Sequence, residues 1–416
     1  MQNSPYDLIV VGAGAAGMMA AITAARRGKK VLLLEKLSKP GAKLKATGGG
    51  RCNLTNTLPN DAFMERFGRD GRFMTPALEA LDHKALTAFF REIGVESHAP
   101  DGYRIFPVSH NSESVLGALE NEMARLGVEL RSSQRVETLE HDGEHVTGVT
   151  THDATYRAQS VIIATGGLGY PQLGAEGDGY ALAQSAGHKV TPLSPAMMPL
   201  HTKESWVSSC RADTIAGAEL RVDMKKAKKL RAKGDLIFTK HGIRGPVVLD
   251  FAREVTPLLE KQGEVPLLLN MTKGMNEDAI LGHLKQEIAA DPERSTLQLL
   301  TTLLPESVAR ELCILSGADC DERFNKLPGA VRDRLIKNLA WTPLTVTGHD
   351  GFKMAMITRG GVTLKEIRPE TMESKLVKGL YFCGEVMNLD GPCGGYNLQW
   401  SFASGYLAGL LGERDA

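Results

Sequence analysis

Asp7-Leu8-Ile9-Val10-Val11-Gly12-Ala13-Gly14-Ala15-Ala16-Gly17 joins a short apolar run to a complete G-x-G-x-x-G, and the reading of the whole chain starts there. The run has the composition of a buried parallel strand. Met18 to Arg27 favours helix, Gly28 ends it, and Lys30 to Leu34 reads as a second strand closing on Glu35. Each glycine has a distinct task. Gly12 permits a tight turn, Gly14 lets a pyrophosphate approach the backbone, and Gly17 lets the helix pack on the sheet. The helix N-terminus then offers unpaired N–H groups to phosphate. Glu35 stands about 20 residues on, where a carboxylate accepts hydrogen bonds from a ribose. Strand, turn, helix, strand and acid in one unit predict a dinucleotide site.

The next segment says which dinucleotide. Lys39 to Asn56 is long, basic and rich in glycine, and it follows the second strand directly. A nicotinamide dehydrogenase gives no reason for such a loop. FAD does, because its ribityl chain and ring need a close backbone lining. The run Thr47-Gly-Gly-Gly-Arg-Cys-Asn-Leu-Thr-Asn56 resembles the hallmark of the BaiN/RdsA-like family of FAD-dependent flavoproteins, NAD(P)/FAD-dependent oxidoreductases. Lys240 to Pro246 and Gly394-Gly-Tyr-Asn-Leu-Gln-Trp400 resemble further signatures of that family, so the resemblance spans essentially the whole chain.

Composition sets the outer bounds. At 416 residues, two or three domains and a sizeable core are expected. Lys plus Arg and Asp plus Glu both number 49, so any nucleic-acid binding must come from a local patch. No apolar run is long enough to span a membrane, and the first strand begins too early for a signal peptide, which predicts a cytoplasmic protein. The six cysteines show no C-x-x-C spacing, so neither a metal site nor structural disulfides are expected.

Along the chain, Thr75 to Ile93 has helical periodicity, Tyr103 to Val108 reads as a strand, and Glu113 to Leu126 as a helix. Val128 to Arg131, Arg135 to Leu139 and His145 to Thr151 alternate like strands of a small sheet. Ser160 to Ile163 leads into Ala164-Thr165-Gly166-Gly167, which resembles a second FAD fingerprint. Prolines 192, 195 and 199 mark an exit from this domain. Ala218 to Asp223, Asp235 to Thr239 and Leu267 to Asn270 read as strands of a barrel-like insertion; Glu277 to Ala340 reads as short helices; Trp341 to Thr347 and Lys353 to Thr358 return to strand. Gly379 to Glu385 is a third cofactor strand, before an Ala/Ser/Gly-rich helix, Ser401 to Leu411. The expected fold is α/β: a glutathione-reductase-like FAD-binding Rossmann domain, discontinuous over 1–194 and 367–416, interrupted by a strand-rich domain at 195–274 and 341–366 and a helical subdomain at 275–340. No second G-x-G-x-x-G is present, so a separate NAD(P)H domain is not expected.

Cofactor contacts are expected from Gly12, Gly14, Ala15, Ala16, Gly17, Glu35 and Lys36, and from Lys43, Thr47, Gly49, Gly50, Arg51, Cys52 and Asn53 in the glycine-rich loop. Val136, Thr165, Gly166, Gly167, Gly384, Glu385, Gly395, Asn397, Leu398 and Gln399 complete the set. The N-terminus of the last helix would stabilise negative charge on a reduced flavin. The resemblance implies a choice of substrates: a uridine of 23S ribosomal RNA, reduced at C5=C6 to dihydrouridine; a steroid-like enoate; or aminoacetone. Uridine reduction is the leading expectation, with NAD(P)H as transient electron donor. A flavin-containing RNA-binding or assembly factor without catalysis is the non-enzymatic alternative. Reduction would place a hydride on C6 and a proton on C5, and the expected proton donors are Cys393, Cys52 and His110. Lys225 to Lys233 carries six positive charges in nine residues. It reads as a solvated hairpin tip or as a patch for ribosomal RNA backbone, without aromatic residues for base stacking.

Overall fold

The computed structural model describes residues 6–413. They form two compact units, one running to Pro195 and resuming at Met356, the other Ala196–Ala355.

The first unit is organised on the opening strand, Tyr6–Val11. It lies between Val31–Leu34 and Thr155–Ile163, parallel to both, with Ile9 opposite Leu32 and Val161. Leu380–Phe382 then pairs in parallel with the end of Thr155–Ile163, Leu380 opposite Val161. The third cofactor strand thus stands one strand from the first. Glu129–Arg131 extends the far edge, and the antiparallel ribbon Val136–His141 and Val146–Thr151 completes the sheet. Leu8, Ile9, Val10, Leu32, Leu33, Val161, Ile162 and Ile163 are all fully buried, as strands covered on both faces require.

Ala15–Arg26 and Tyr396–Gly409 cross over this sheet at close range. A Cβ on Gly405 would fall 2.2 Å from the Ala16 carbonyl oxygen, and one on Gly409 2.5 Å from that of Ala20. The small residues of both helices therefore set their separation.

The expected helix over 75–93 is two, Thr75–Ala80 and His83–Glu92. Asp82 separates them, its carboxylate accepting from Ala85 N at 2.8 Å as an N-cap. The segment 357–366, expected in the insertion, lies elsewhere. Ile357–Val362 pairs with Val190–Ala196 and returns the chain to the first unit.

The second unit is a closed six-stranded barrel: Leu200–Thr202, Gly242–Arg244, Arg231–Phe238, Thr214–Val222, Val265–Asn270 and Thr342–His349, in that order. The helices Glu277–Ala290, Thr296–Leu300, Glu306–Ser316 and Gly329–Ala340 share one apolar core with it, so the helical part is not a separate subdomain. Pro246–Gln262 is a further helix where the sequence suggests only a turn. Pro246 occupies the first helical position, where its missing N–H costs nothing, and the interior Pro257 is tolerated.

Candidate functional site

The glycine turn after the opening strand separates what the protein's own packing requires from what it does not. A Cβ on Gly12, at φ +102°, would lie 2.8 Å from the Ala164 carbonyl oxygen, and one on Gly17 1.9 Å from that of Gly12. Both glycines are needed to hold turn, helix and sheet together. At Gly14 a Cβ would meet nothing within 4 Å, and the same is true of Gly49, Gly50 and Gly166. These four leave open space beside backbone.

Glu35 braces the turn. Its Oε2 accepts from Ala13 N at 2.9 Å and its Oε1 from Leu37 N at 2.8 Å. A carboxylate has lone pairs beyond these two bonds, so the geometry leaves room for a ribose hydroxyl. Lys36 turns elsewhere: its Nζ lies 3.0 Å from Glu176 and 2.5 Å from Asp178, in a cluster that Arg135 also joins. Val136 begins the neighbouring strand and is buried.

Gly48 and Gly49 both take left-handed backbone, φ 58° and 67°, and Gly50 continues at φ 86°. Three such residues in a row turn the chain into an open cradle that few side chains would adopt. Cys52 N closes it on the Thr47 carbonyl at 3.0 Å. With its side-chain amide turned so that nitrogen and oxygen each meet a complementary partner, Asn53 donates to the Ile105 and Thr55 carbonyls, at 3.2 and 3.0 Å, and accepts from Gly395 N at 3.0 Å. Asn56 Nδ2 donates to Gly394 O at 2.9 Å. The N-terminal cradle and the loop before the last helix are thereby one construction.

Lys43 and Glu385 form its other seam, 2.6 Å apart. Glu385 Oε1 also accepts from Thr358 N, and Thr358 Oγ1 accepts from Leu168 N at 2.7 Å. A Cβ on Gly167 would strike Thr358 Oγ1 at 2.4 Å. Gly384 N donates to Ser404 at 2.9 Å, which fixes the last strand on the last helix. Asn397 holds the loop shape, bonding Gly391 in both directions at 2.8 Å.

Several expected site residues lie differently. Gln399 is buried and donates to the Leu81 carbonyl at 2.7 Å, a structural tie rather than an open contact. Leu398 packs against the core, and Ala16 against the last helix. Cys52 is fully buried, and desolvation pushes its thiol up to about 12 despite a hydrogen bond from Thr47. Cys393 is only half-buried. His110 is exposed, in left-handed backbone at φ 49°, with its Nε2 2.9 Å from that of His98. Sequence reasoning misses Thr358, Asn56 and the hydroxyl–hydroxyl contact of Tyr103 with Tyr396. Asn56 stands inside the quoted hallmark; Thr358 and Tyr103 carry no local signal.

These features fit FAD. Four surface helices are capped by side chains, from Asp82, Asn111, Asn276 and Ser295. The two helices at the cradle begin at Gly14 and Gly395, with neither a side-chain cap nor an acid in the first turn. Their N-termini are left for an anion. Thr165 Oγ1 is buried without a hydrogen-bond partner among the described residues, beside the open Gly166. It packs against Gly179, where an added Cβ would fall 2.1 Å from it, so the fit to FAD rests on the open glycines and the two uncapped helix ends.

From residue 6 to 411 the sequence matches the family described as HI0933-like protein Rossmann domain. The chain belongs to this family. Its HI0933-like relatives include the 3-dehydro-bile acid delta(4,6)-reductase of Clostridium scindens, 32% identical over 96% of this chain and 97% of its own length. Another is the ribosomal RNA dihydrouridine synthase of Haemophilus influenzae, 30% identical over 98% of both chains. By fold, the chain superposes on a 3-ketosteroid delta1-dehydrogenase from Sterolibacterium denitrificans with a TM-score of 0.55, covering 97% of this chain and 98% of that one at 13% identity. The protein is a flavin-dependent oxidoreductase, and FAD is the flavin that its glycine turn and cradle fit. Among the described residues no group of three or more His, Cys, Asp or Glu could hold a metal, and no helix is long and apolar enough to cross a membrane.

Proposed function

We propose that the protein reduces a carbon–carbon double bond conjugated to a carbonyl, and that its substrate is a uridine of large-subunit ribosomal RNA, converted at C5=C6 to dihydrouridine. Uracil gains two hydrogens, one as hydride and one as proton, and NAD(P)H is oxidised to NAD(P)+ in balance.

The observation that carries the RNA reading is the turn between Thr214–Val222 and Arg231–Phe238. Lys225, Lys226, Lys228 and Lys229 are all exposed there, and none has a carboxylate partner among the described residues. Lys233 differs, paired to Glu219 at 2.8 Å. Four uncompensated lysines on a short turn suit a polyanion, for which they supply contacts independent of sequence. The relative named as a ribosomal RNA dihydrouridine synthase supports the same reading.

Bound FAD supplies the electron pair. The chain's own residues hold and orient it through the Gly12–Gly17 turn, the Thr47–Asn53 cradle, Thr165–Gly167, Gly384–Glu385 and the N-terminus of the last helix. The proton at C5 comes, in this proposal, from Cys393. It is half-buried on the loop that Asn397 and Asn56 fasten, whereas Cys52 is sealed in the core and held protonated. A second reading, reduction of a small steroid-like enone, is favoured by the bile acid reductase among the relatives.

The test is the ribosomal RNA of a strain lacking the protein, mapped by mass spectrometry. One uridine should lose the mass gain of two hydrogen atoms, and re-expression should restore it. An unchanged RNA profile leaves the small-enone reading.

A further inference from the structure

We infer that the rim around Phe106 is a second anion site, which takes a phosphodiester of the RNA flanking the reacting base. The inference rests on the RNA reading above and names a recognition site for it in the flavin-binding unit.

Phe106 sits on Arg104–Pro107, between Thr55–Asn56 and Ser97–His98. Its ring is buried, and a Cβ on Gly48 would lie 3.6 Å from its edge. The ring is therefore the floor under the first left-handed glycine of the cradle. Cationic and imidazole groups gather around it. The Arg51 guanidinium stands 5.4 Å from the ring centroid, that of Arg104 6.0 Å, and the His110 ring 6.0 Å. His98 meets His110 edge to face at 4.6 Å.

Arg51 decides what this rim is for. Its Nε donates to the Gly48 carbonyl at 3.2 Å, which orients the guanidinium and leaves its terminal nitrogens unused by that bond. Arg51 is exposed, yet no carboxylate pairs with it among the described residues. Asp101 neutralises Arg104 of the same rim at 2.7 Å and Glu96 pairs with Arg91 at 3.4 Å, which leaves Arg51 as the rim's uncompensated cation among the described residues. A planar, permanently charged fork held over an aromatic ring matches the geometry of a phosphate. The two histidines spend their Nε2 atoms on each other at 2.9 Å, so they add polar contact rather than a second fixed charge. His110 is held there in left-handed backbone, a conformation that non-glycine residues keep only under constraint. Val108, 54% exposed at the end of the same strand, offers an apolar surface to a ribose or base face.

The experiment measures binding of a fluorescent single-stranded oligouridylate to holoenzyme by anisotropy across a salt series, at matched flavin occupancy. Arg51→Gln should weaken binding and lower the magnitude of the log–log salt slope by about 0.7, the value for one phosphate no longer neutralised. Arg51→Lys should keep most of the slope, since charge is retained. The double variant His98→Gln/His110→Gln should weaken binding several-fold with the slope intact. A slope unmoved in Arg51→Gln overturns the inference, and so does loss of flavin with no change in RNA binding, which would give the guanidinium to the cofactor. An altered ribosomal RNA profile in the deletion strain with an unmoved slope removes this site alone. An unchanged profile removes the RNA reading and this site with it.

Discussion

Lys43 Nζ and Glu385 Oε2 lie 2.6 Å apart and join the segment after the second strand to the turn after the last. Both side chains are largely shielded, 27% and 17% exposed, and Glu385 also holds Thr358. Removing only the cation leaves a shielded carboxylate without its partner. Lys43→Met is expected to lower stability by about 1–2 kcal/mol, and the Lys43→Met/Glu385→Gln double variant should recover part of that. Denaturant unfolding of the flavin-free proteins reads both values; additive losses would show that the pair is not coupled.

Gly14 and Gly17 should fail in opposite ways. A Cβ at Gly14 would meet nothing within 4 Å, so Gly14→Val should fold, melt near wild type without cofactor, and purify colourless. At Gly17 the added carbon falls 1.9 Å from Gly12 O, so Gly17→Ala should destabilise the apoprotein itself by several kcal/mol. Absorbance and melting of both variants separate the two; a yellow Gly14→Val would sink the pyrophosphate assignment.

The proposed proton donor is tested by rapid mixing of photoreduced enzyme with substrate. Cys393→Ala should keep its flavin yet reoxidise at least ~100-fold more slowly, the scale expected when a general acid is removed. Cys52→Ala should reoxidise near the wild-type rate. If neither rate moves, the Tyr103–Tyr396 pair becomes the next donor to replace.

Replacing Lys225, Lys226, Lys228 and Lys229 with glutamine should leave turnover of a small enone unchanged while weakening RNA binding. Each phosphate left without its lysine should lower the salt slope by ~0.7–0.9. RNA affinity that is indifferent to all four changes would make the turn an ordinary solvated surface.

Glu122 predicts an acid limit to stability. Hydrogen bonds from Arg125 and Arg26 hold its carboxyl down from 4.5 to about 2. The folded value is the lower one, so this contribution is complete above pH 4.5 and is lost as pH falls towards 2. Glu122→Gln should cost about 1–2 kcal/mol at neutral pH, discounted because Arg125 is solvent-exposed. The gap to wild type should close in acid; a gap constant with pH would mean that packing, not charge, is lost.

The sequence by itself determined the local units. The strand–turn–helix at Asp7 to Arg27, the glycine-rich loop around Gly48–Gly50 and the strand before Gly384 are legible because each rests on backbone chemistry within a few residues. Apolar runs and obligatory glycines carry that information without help from distant parts of the chain. The break at Asp82 and the helix after Pro246 are harder, since a cap and a first-turn proline are read correctly only once the packing of the flanking residues is known. Tertiary structure alone decided which residues meet. Lys43 finds Glu385, Asn53 finds Gly395, and Thr358 slides under Gly167 only after the fold brings together segments that are distant in the chain. The same closure sealed Cys52 in the core while leaving Cys393 half-buried, and it turned Gln399 away from the cradle towards Leu81. Burial and partner choice are properties of the assembled sheet and its two crossing helices, and no local pattern in the chain encodes them.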